Sequence, residues 1–539
     1  MSRESRWLLA ALPLFLVHPF ANAQTTLQAC SGAEVHASDA EAGDLFGESV
    51  AVDGRTFVVG APATSAQDTT PEPGTAYVFR GLAGTVVEEA RLVPSDGVAG
   101  QGFGGSLALA GDLLAVGSRY NPAAGVYVFT RTGVVWTQQH KFVSPDGAAA
   151  VEFGSVLALS GATLAIGDPG YRTPAGVLHG VVYVYEQQIA GWTLRQRIEG
   201  AGSRYFGWSL ALQADTLVAG ALAATNPFPI SGAALVYRRD AIGAWNLESS
   251  LSPSLLARDF GRAVALDGDL ALVGDTSPGS GRAWLFARNG SAWTEAAQLV
   301  GSAPLSSSFG EAVALRAGHI AIGDGSAPAG TNRWGRVWIF EPLGASWTET
   351  GTIEPSEAGP IAPFGRALGL AGSELIVGAA QDDDAGADSG SAWSYHLSRA
   401  PGNYCAAKPN SQGCLPSVSS SGTPSLSGPD HFFVGASNVL NNKLGLLLWS
   451  RSPASVPFGG GTLCVAAPLV RTAAQLSGGS PTGDDCSGSY SFHFTQAYMT
   501  QQQLGAYTTL HAQWWSRDPG FAAPNNIGLT DALRFTLCP

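Results

Sequence analysis

The residues of this 539-residue chain best suited to chemistry read as recognition rather than reaction. Tyr120, Tyr171, His179, Arg333 and Trp334 fall in Gly- and Pro-rich connections between apolar runs. Their side chains offer the ring stacking and forked hydrogen bonding that suit sugars or peptides, or else half-buried packing. Asp382, Asp383 and Asp384, with Asp388, form the densest carboxylate cluster. Calcium takes about six to eight oxygens from such groups. It is the one cofactor the sequence suggests, although EF-hand spacing is absent and a solvated acidic loop has the same composition. Asp168, Asp275 and Asp324 each follow a Gly that ends an apolar run, so they should recur at one height. There they make either a carboxylate rim for a cation or amine, or turn caps that satisfy nearby backbone N–H groups. The motifs of catalysis are missing: no His-Glu-x-x-His, no Gly-x-Ser-x-Gly and no phosphate-binding Gly loop occur. The sequence therefore predicts no enzyme.

What must position these residues is a repeat. A Phe-Gly pair recurs at Phe46, Phe103, Phe153, Phe206, Phe260, Phe309 and Phe364, a mean interval of 53 residues. Each pair opens an alternating small/aliphatic run, and a second apolar run ends in Gly60, Gly117, Gly167, Gly220, Gly274, Gly323 or Gly378. Thirteen residues separate the two glycines in all seven repeats, as expected of two strands whose tight turn fixes their register. A third strand reads Gly-x-small-aromatic-x-aromatic, as in Gly74 to Phe79 and Gly335 to Phe340. A fourth opens with Trp136, Trp192, Trp245, Trp293 or Trp347, with an apolar residue six positions later. Four short antiparallel strands in units of about 50 residues predict propeller blades. Blade seven lacks a fourth strand, while Val35 to Asp39 matches the fourth-strand ending Leu92 to Asp96. The N-terminal segment, about 29–39, is therefore expected to supply the outer strand of the last blade and close the ring. The second-to-third connections span 7 to 14 residues between glycines and share a face, which makes that face the expected binding surface.

The Phe-Gly pairs, followed by Val59-Gly60-Ala61-Pro62 or Val377-Gly378-Ala379-Ala380, resemble the FG-GAP repeat of integrin-α-type propellers over about residues 34–398. That resemblance implies an extracellular binding platform rather than a reaction. Many such repeats carry an Asp-x-Asp-x-Asp-Gly calcium loop between their first two strands; here that hairpin is too short in all seven copies.

Residues outside the repeat complete the outline. Arg3 and Arg6 precede an apolar run and Ala21-Asn22-Ala23, so 1–23 reads as a secretory leader, leaving a propeller over 24–400. No second apolar run reaches membrane-spanning length. A Cys/Ser/Pro-rich stretch over 401–430 reads as a linker, and 431–539 as a small β-sandwich with strands near 431–433, 444–449, 490–495, 508–515 and 533–537. Ala512 to Gly520 and the ending Phe535 to Pro539 are similar to a C-terminal extension of secreted planctomycete-type proteins, which implies a bacterial, exported setting. The six cysteines, Cys30, Cys405, Cys414, Cys464, Cys486 and Cys538, predict disulfides. Cys30 opens the predicted closing strand beside the end of blade seven, so Cys30–Cys405 or Cys30–Cys414 is the expected clamp. A charged fraction of 13% and a net charge of −13 exclude a nucleic-acid partner. The expectation is an all-β, seven-bladed propeller followed by a small β-sandwich. It would be secreted or held at the bacterial surface or periplasm, and would bind a polysaccharide, matrix or envelope component. The alternatives are a structural envelope protein without a ligand, or a carbohydrate-active propeller enzyme.

Overall fold

The computed structural model describes the chain except residues 1–26, 31–32, 64–71, 82–85, 119–124, 201–202, 225–230, 278–280, 303–307, 329–333, 345 and 356–362. The predicted leader, Tyr120 and Arg333 lie outside the described residues.

Seven antiparallel sheets follow one another. Their inner strands are Ser49–Asp53, Phe103–Ala110, Val156–Ser160, Arg204–Gln213, Ala263–Asp267, Ala312–Arg316 and Ala367–Ala371. Each inner strand packs on the next, and the seventh packs on the first, so the ring closes. Two-residue turns join inner and second strands throughout, as the fixed spacing demands.

The recurrent residues are the ring's inter-blade contacts. The recurrent Gly of each second strand backs directly onto the carbonyl of the Phe-Gly glycine in the next blade: Gly60 on Gly104, Gly117 on Gly154, and so on to Gly378 on Gly47. A Cβ there would overlap that oxygen in every blade. The Phe-Gly glycines themselves have positive φ, from 84° to 100°, which only glycine adopts without strain. All seven Phe rings are buried, packed edge-on against third-strand aromatics; Phe46, for example, lies 5.5 Å from Tyr77 and 5.9 Å from Phe79. The small/aliphatic alternation has a matching cause. A Cβ at Gly369, on the inner strand of blade seven, would lie 2.9 Å from Val52 of blade one, so one face of each inner strand stays small.

Outer strands are tied across blades as well. Glu89 accepts hydrogen bonds from the Trp136 indole (3.0 Å) and from Arg131 (3.4 Å) of the next blade. Glu248 does the same for Trp293 (3.2 Å) and Arg288 (2.9 and 3.1 Å). Trp136 and Trp293, at the openings of their fourth strands, are therefore both packing groups and donors. Ser254 and Ser302 each place a backbone N–H and a hydroxyl on a glutamate of the next blade, Glu295 and Glu349.

The N-terminal segment closes blade seven as expected. Leu27–Cys30 and Glu34–Val35 pair antiparallel with the third strand Ser391–Arg399, registering Cys30 on His396 and Val35 on Ala392.

Two expectations for the rest of the chain are corrected. The stretch 401–430 is no linker: Gly402–Tyr404 pairs with Ile527–Thr536, and Ser417–Ser421 with Phe433–Val439. These strands belong to two sheets, six- and three-stranded, that face each other across one core containing Val434, Trp449, Trp514 and Phe535. Trp514 stacks on Tyr490 with ring centres 5.0 Å apart, while Trp515 on the other face is half-buried. The cysteine pairs are Cys30–Cys538, Cys405–Cys464 and Cys414–Cys486, so neither expected Cys30 partner is used. The reason is topological. Gly402–Tyr404 follows directly from blade seven and pairs with the final long strand, which brings the chain's end beside Cys30. Cys405 turns instead to Gly461–Val465.

Candidate functional site: the long-loop face

One face of the propeller carries the C-terminal domain. Tyr507 packs on His396, with ring centres 3.8 Å apart, and His396 is held by Glu374 (2.6 Å). Glu374 and His319 sit at inner-to-second turns of blades seven and six. Glu341, beside His319 (2.9 Å) and Arg399 (3.7 Å), also feels the charge of Arg534 from the C-terminal domain. The domain therefore sits on the short-turn face, opposite the second-to-third connections, and among the described residues these are its contacts with the ring's turns.

The blade-three connection is a formed hairpin on the long-loop face. Its second strand ends at Asp168, which is 0% exposed and accepts the Glu152 N–H at 2.9 Å. The Tyr171 carbonyl accepts the His179 N–H (3.0 Å), and Thr173 N–H reaches the Val177 carbonyl (2.9 Å). Arg172 and Val177 project outward, exposed, and Arg172 places one nitrogen on the Gly176 carbonyl at 3.2 Å. Tyr171, expected as a stacking platform, is 8% exposed and covered by the Arg197 guanidinium 4.7 Å from its ring centre. It packs the hairpin's base and offers no free ring face. His179 is half-buried, with Nε2 3.9 Å from Glu199, and it stands at the hairpin's return. Arg197 is fixed by Asp146 (2.7 Å) and Glu199, and Asp146 also takes the Tyr183 hydroxyl at 2.6 Å. Although burial opposes it, these donors hold the Asp146 carboxyl below the usual range. Burial pushes Asp168 up to about 6, against the Glu152 hydrogen bond and with the Glu152 charge adding to the rise.

The three recurrent aspartates are turn caps, not a rim. Asp275 accepts from the backbone of Asp259 (2.8 Å) and Ser277 (3.2 Å) and from the Ser277 hydroxyl (2.7 Å), and burial raises its pKa. Asp324 accepts from the Ser326 N–H (3.0 Å) and hydroxyl (3.1 Å). All three are buried.

The blade-seven acidic loop is only partly a cluster. Asp382 is buried and takes the Ser391 hydroxyl at 2.6 Å, and Asp383 accepts the Asp388 N–H at 2.7 Å. Asp382 and Asp384 gather instead with Glu34 of the closing strand, their oxygens within 4.8 Å of one another. Asp383 and Asp388 are not part of that group, and one of its three carboxylates, Asp382, is already engaged by the Ser391 hydroxyl. Sequence reasoning had no register that placed Glu34 here.

A second acidic feature lies on this face. Asp39, Glu41, Asp44 and Glu72 line a narrow cleft of about 20 Å³ with Tyr77 and Arg91. Arg91 bridges Asp39 (3.0 Å) and Glu72 (3.5 Å), and the Tyr77 hydroxyl donates to Asp39 at 2.6 Å. Burial raises the Asp44 pKa, and neighbouring Glu41, Asp39 and Glu72 add to it. The same Tyr–Asp–base arrangement recurs one blade on, where Asp96 takes Tyr127 (2.8 Å) and Lys141 (2.7 Å). Its signal was the Ser-Asp shared by 38–39 and 95–96. Trp334 is the first residue of a blade-six third strand, Trp334–Leu343.

The architecture is thus a seven-bladed β-propeller joined to a β-sandwich. Comparison with known proteins agrees for the blades: residues 31–79, 86–129, 136–185 and 347–395 match the FG-GAP repeat. The chain carries FG-GAP repeats, and each matched segment runs from an outer strand through the first three strands of the following blade. That offset is the one the closing N-terminal strand imposes. No curated protein matches the chain. A crystal structure of a protein from Lactobacillus plantarum aligns with a TM-score of 0.39 and 16% identity, over 61% of this chain and 90% of that one. A likeness that low carries no weight for fold or function.

Proposed function

We propose that the protein is an exported, non-catalytic binding module whose long-loop face holds a polysaccharide, matrix or envelope component. The observation that carries this reading is the division of faces: the described contacts of the C-terminal domain are with the short turns, on the face opposite the variable connections. Three disulfides suit an oxidising compartment, and no helix among the described residues is long and apolar enough to cross a membrane. The long-loop face offers Arg172 and His179 on blade three and, separately, the acidic cleft of blade one. Its carboxylates disfavour polyanions and favour neutral or amino-bearing chains.

The test is a binding screen of the chain from residue 24 against immobilised polysaccharides and envelope fractions, with calcium and then with EDTA. Saturable binding that survives EDTA is the expected result. Loss with EDTA would move the site to the Glu34–Asp382–Asp384 group, and no saturable binding to any fraction would leave the propeller a structural envelope component.

A further inference from the structure

None of the three disulfides joins cysteines that are neighbours in chain order. The order is Cys30, Cys405, Cys414, Cys464, Cys486, Cys538, and the bonds are 30–538, 405–464 and 414–486. A chain that enters an oxidising compartment N-terminus first presents these thiols one at a time. Pairing as they emerge gives 30–405, 414–464 and 486–538, in which every bond is wrong. The fold strengthens this trap. Blade seven closes when Leu27–Cys30 pairs with Ser391–Arg399, which sets Cys30 opposite His396 before any of the C-terminal domain is needed. Cys405 lies nine residues beyond His396, within about 30 Å of extended chain, whereas Cys538 is the second-last residue.

We infer that the protein reaches this structure only through a thiol–disulfide isomerase, its partner during maturation; the inference rests on the export proposed above. The rearrangement needs no net oxidant. An isomerase thiolate attacks the Cys405 sulfur of the 30–405 bond, forming a mixed disulfide and releasing the Cys30 thiolate. Cys30 attacks Cys538, closing 30–538 and releasing Cys486. Cys486 attacks Cys414, closing 414–486 and releasing Cys464. Cys464 then displaces the isomerase from Cys405, closing 405–464 and regenerating the attacking thiolate. Three bonds break and three form, and the six thiols first lose their protons and electrons to a disulfide oxidant of the same compartment. The end state is protected, because Cys30, Cys464 and Cys538 are buried while mispaired chains cannot bury them.

The experiment is production of the full chain, with its own leader, in the periplasm of bacteria that have the disulfide oxidase and either have or lack the isomerase. Non-reducing peptide maps are read on both. With isomerase, the map shows 30–538, 405–464 and 414–486. Without it, the native map falls toward the roughly one-in-fifteen share of unguided pairing, and 30–405 accumulates. Adding reduced isomerase in catalytic amount, with no oxidant, to that material restores the native map. Equal native maps in both strains overturn the inference even though export is sound. A chain recovered with its leader uncleaved and its thiols free overturns the export reading and this inference with it.

Discussion

Replacing Gly378 by alanine tests ring closure at its seam. Gly378 lies in the second strand of blade seven, Glu374–Ala379, and backs onto Gly47 of blade one, 318 residues before the Phe-Gly glycine of its own blade. A Cβ there would overlap the Gly47 carbonyl oxygen, lie 3.0 Å from its carbon and 3.2 Å from the Ala367 Cβ. The oxygen cannot swing away cheaply: Gly47 is fixed at φ 100°, and its N–H donates to the Gly60 carbonyl at 3.0 Å. Blades seven and one must part, at the roughly 1–3 kcal/mol that overpacking costs. The φ of Gly378 is ordinary, so the backbone itself accepts alanine, and the loss of unfolded-chain entropy returns about 0.4–1 kcal/mol. The net expectation is a loss of about 1–2 kcal/mol in urea unfolding followed by tryptophan fluorescence. Gly220→Ala, at the matching contact of blade four with blade five, should cost as much. Gly505→Ala, with nothing within 4 Å of its Cβ, should cost nothing. A Gly220→Ala penalty without a Gly378→Ala penalty would mean an open array and would refute closure.

Other outcomes follow from the same contacts. Removing the Cys30–Cys538 bond as the double alanine variant frees a loop of 508-residue separation, worth about 6 kcal/mol by loop-closure entropy, so a loss of about 2–5 kcal/mol is expected. An unchanged melting temperature would show that the clamp carries no stability. Glu248→Ala leaves Arg288 and the Trp293 indole without their acceptor and should cost about 1–3 kcal/mol, with Glu248→Gln recovering part. Equal melting of parent and alanine variant would discount these cross-blade bonds. Asp168 is an acid whose pKa is raised, to about 6, so it favours the folded state when protonated. Its contribution is full below about pH 4 and is lost as pH rises to about 6, where ionisation costs about 2–3 kcal/mol. Asp168→Asn should flatten the pH 4–6 slope of melting temperature, and a slope identical to the parent's would place that titration elsewhere.

The blades were legible because one covalent spacing, Gly to Gly, is enforced by the backbone contact just described, and a fourth-strand Trp marks five of the seven outer edges. The closing strand was legible because Val35 to Asp39 repeats an outer-strand ending. Partners held by pairing across distant segments left no local mark. Glu34 joins Asp382 and Asp384 only through a strand that returns from the far end of the repeat array. Cys538 meets Cys30 only because the last strand pairs beside blade seven. The 401–430 stretch looked like a linker because its Ser, Pro and Gly content hides short strands whose partners lie elsewhere in the chain. Composition likewise could not separate Tyr171, a packed ring beneath Arg197, from an exposed one.

The functional reading is tested most directly by comparing the two faces in one binding assay. The polysaccharide or envelope fraction retained in the screen would be titrated against Arg172→Ala and His179→Ala on the blade-three hairpin, and against Arg80→Ala, the exposed last residue of the blade-one third strand Thr75–Arg80 on the short-turn face. A loss of roughly tenfold or more, about 1.4 kcal/mol, is expected for the hairpin variants, with Arg80→Ala indistinguishable from the parent. Weakening by Arg80→Ala alone would put the ligand on the face shared with the C-terminal domain and contradict the assignment.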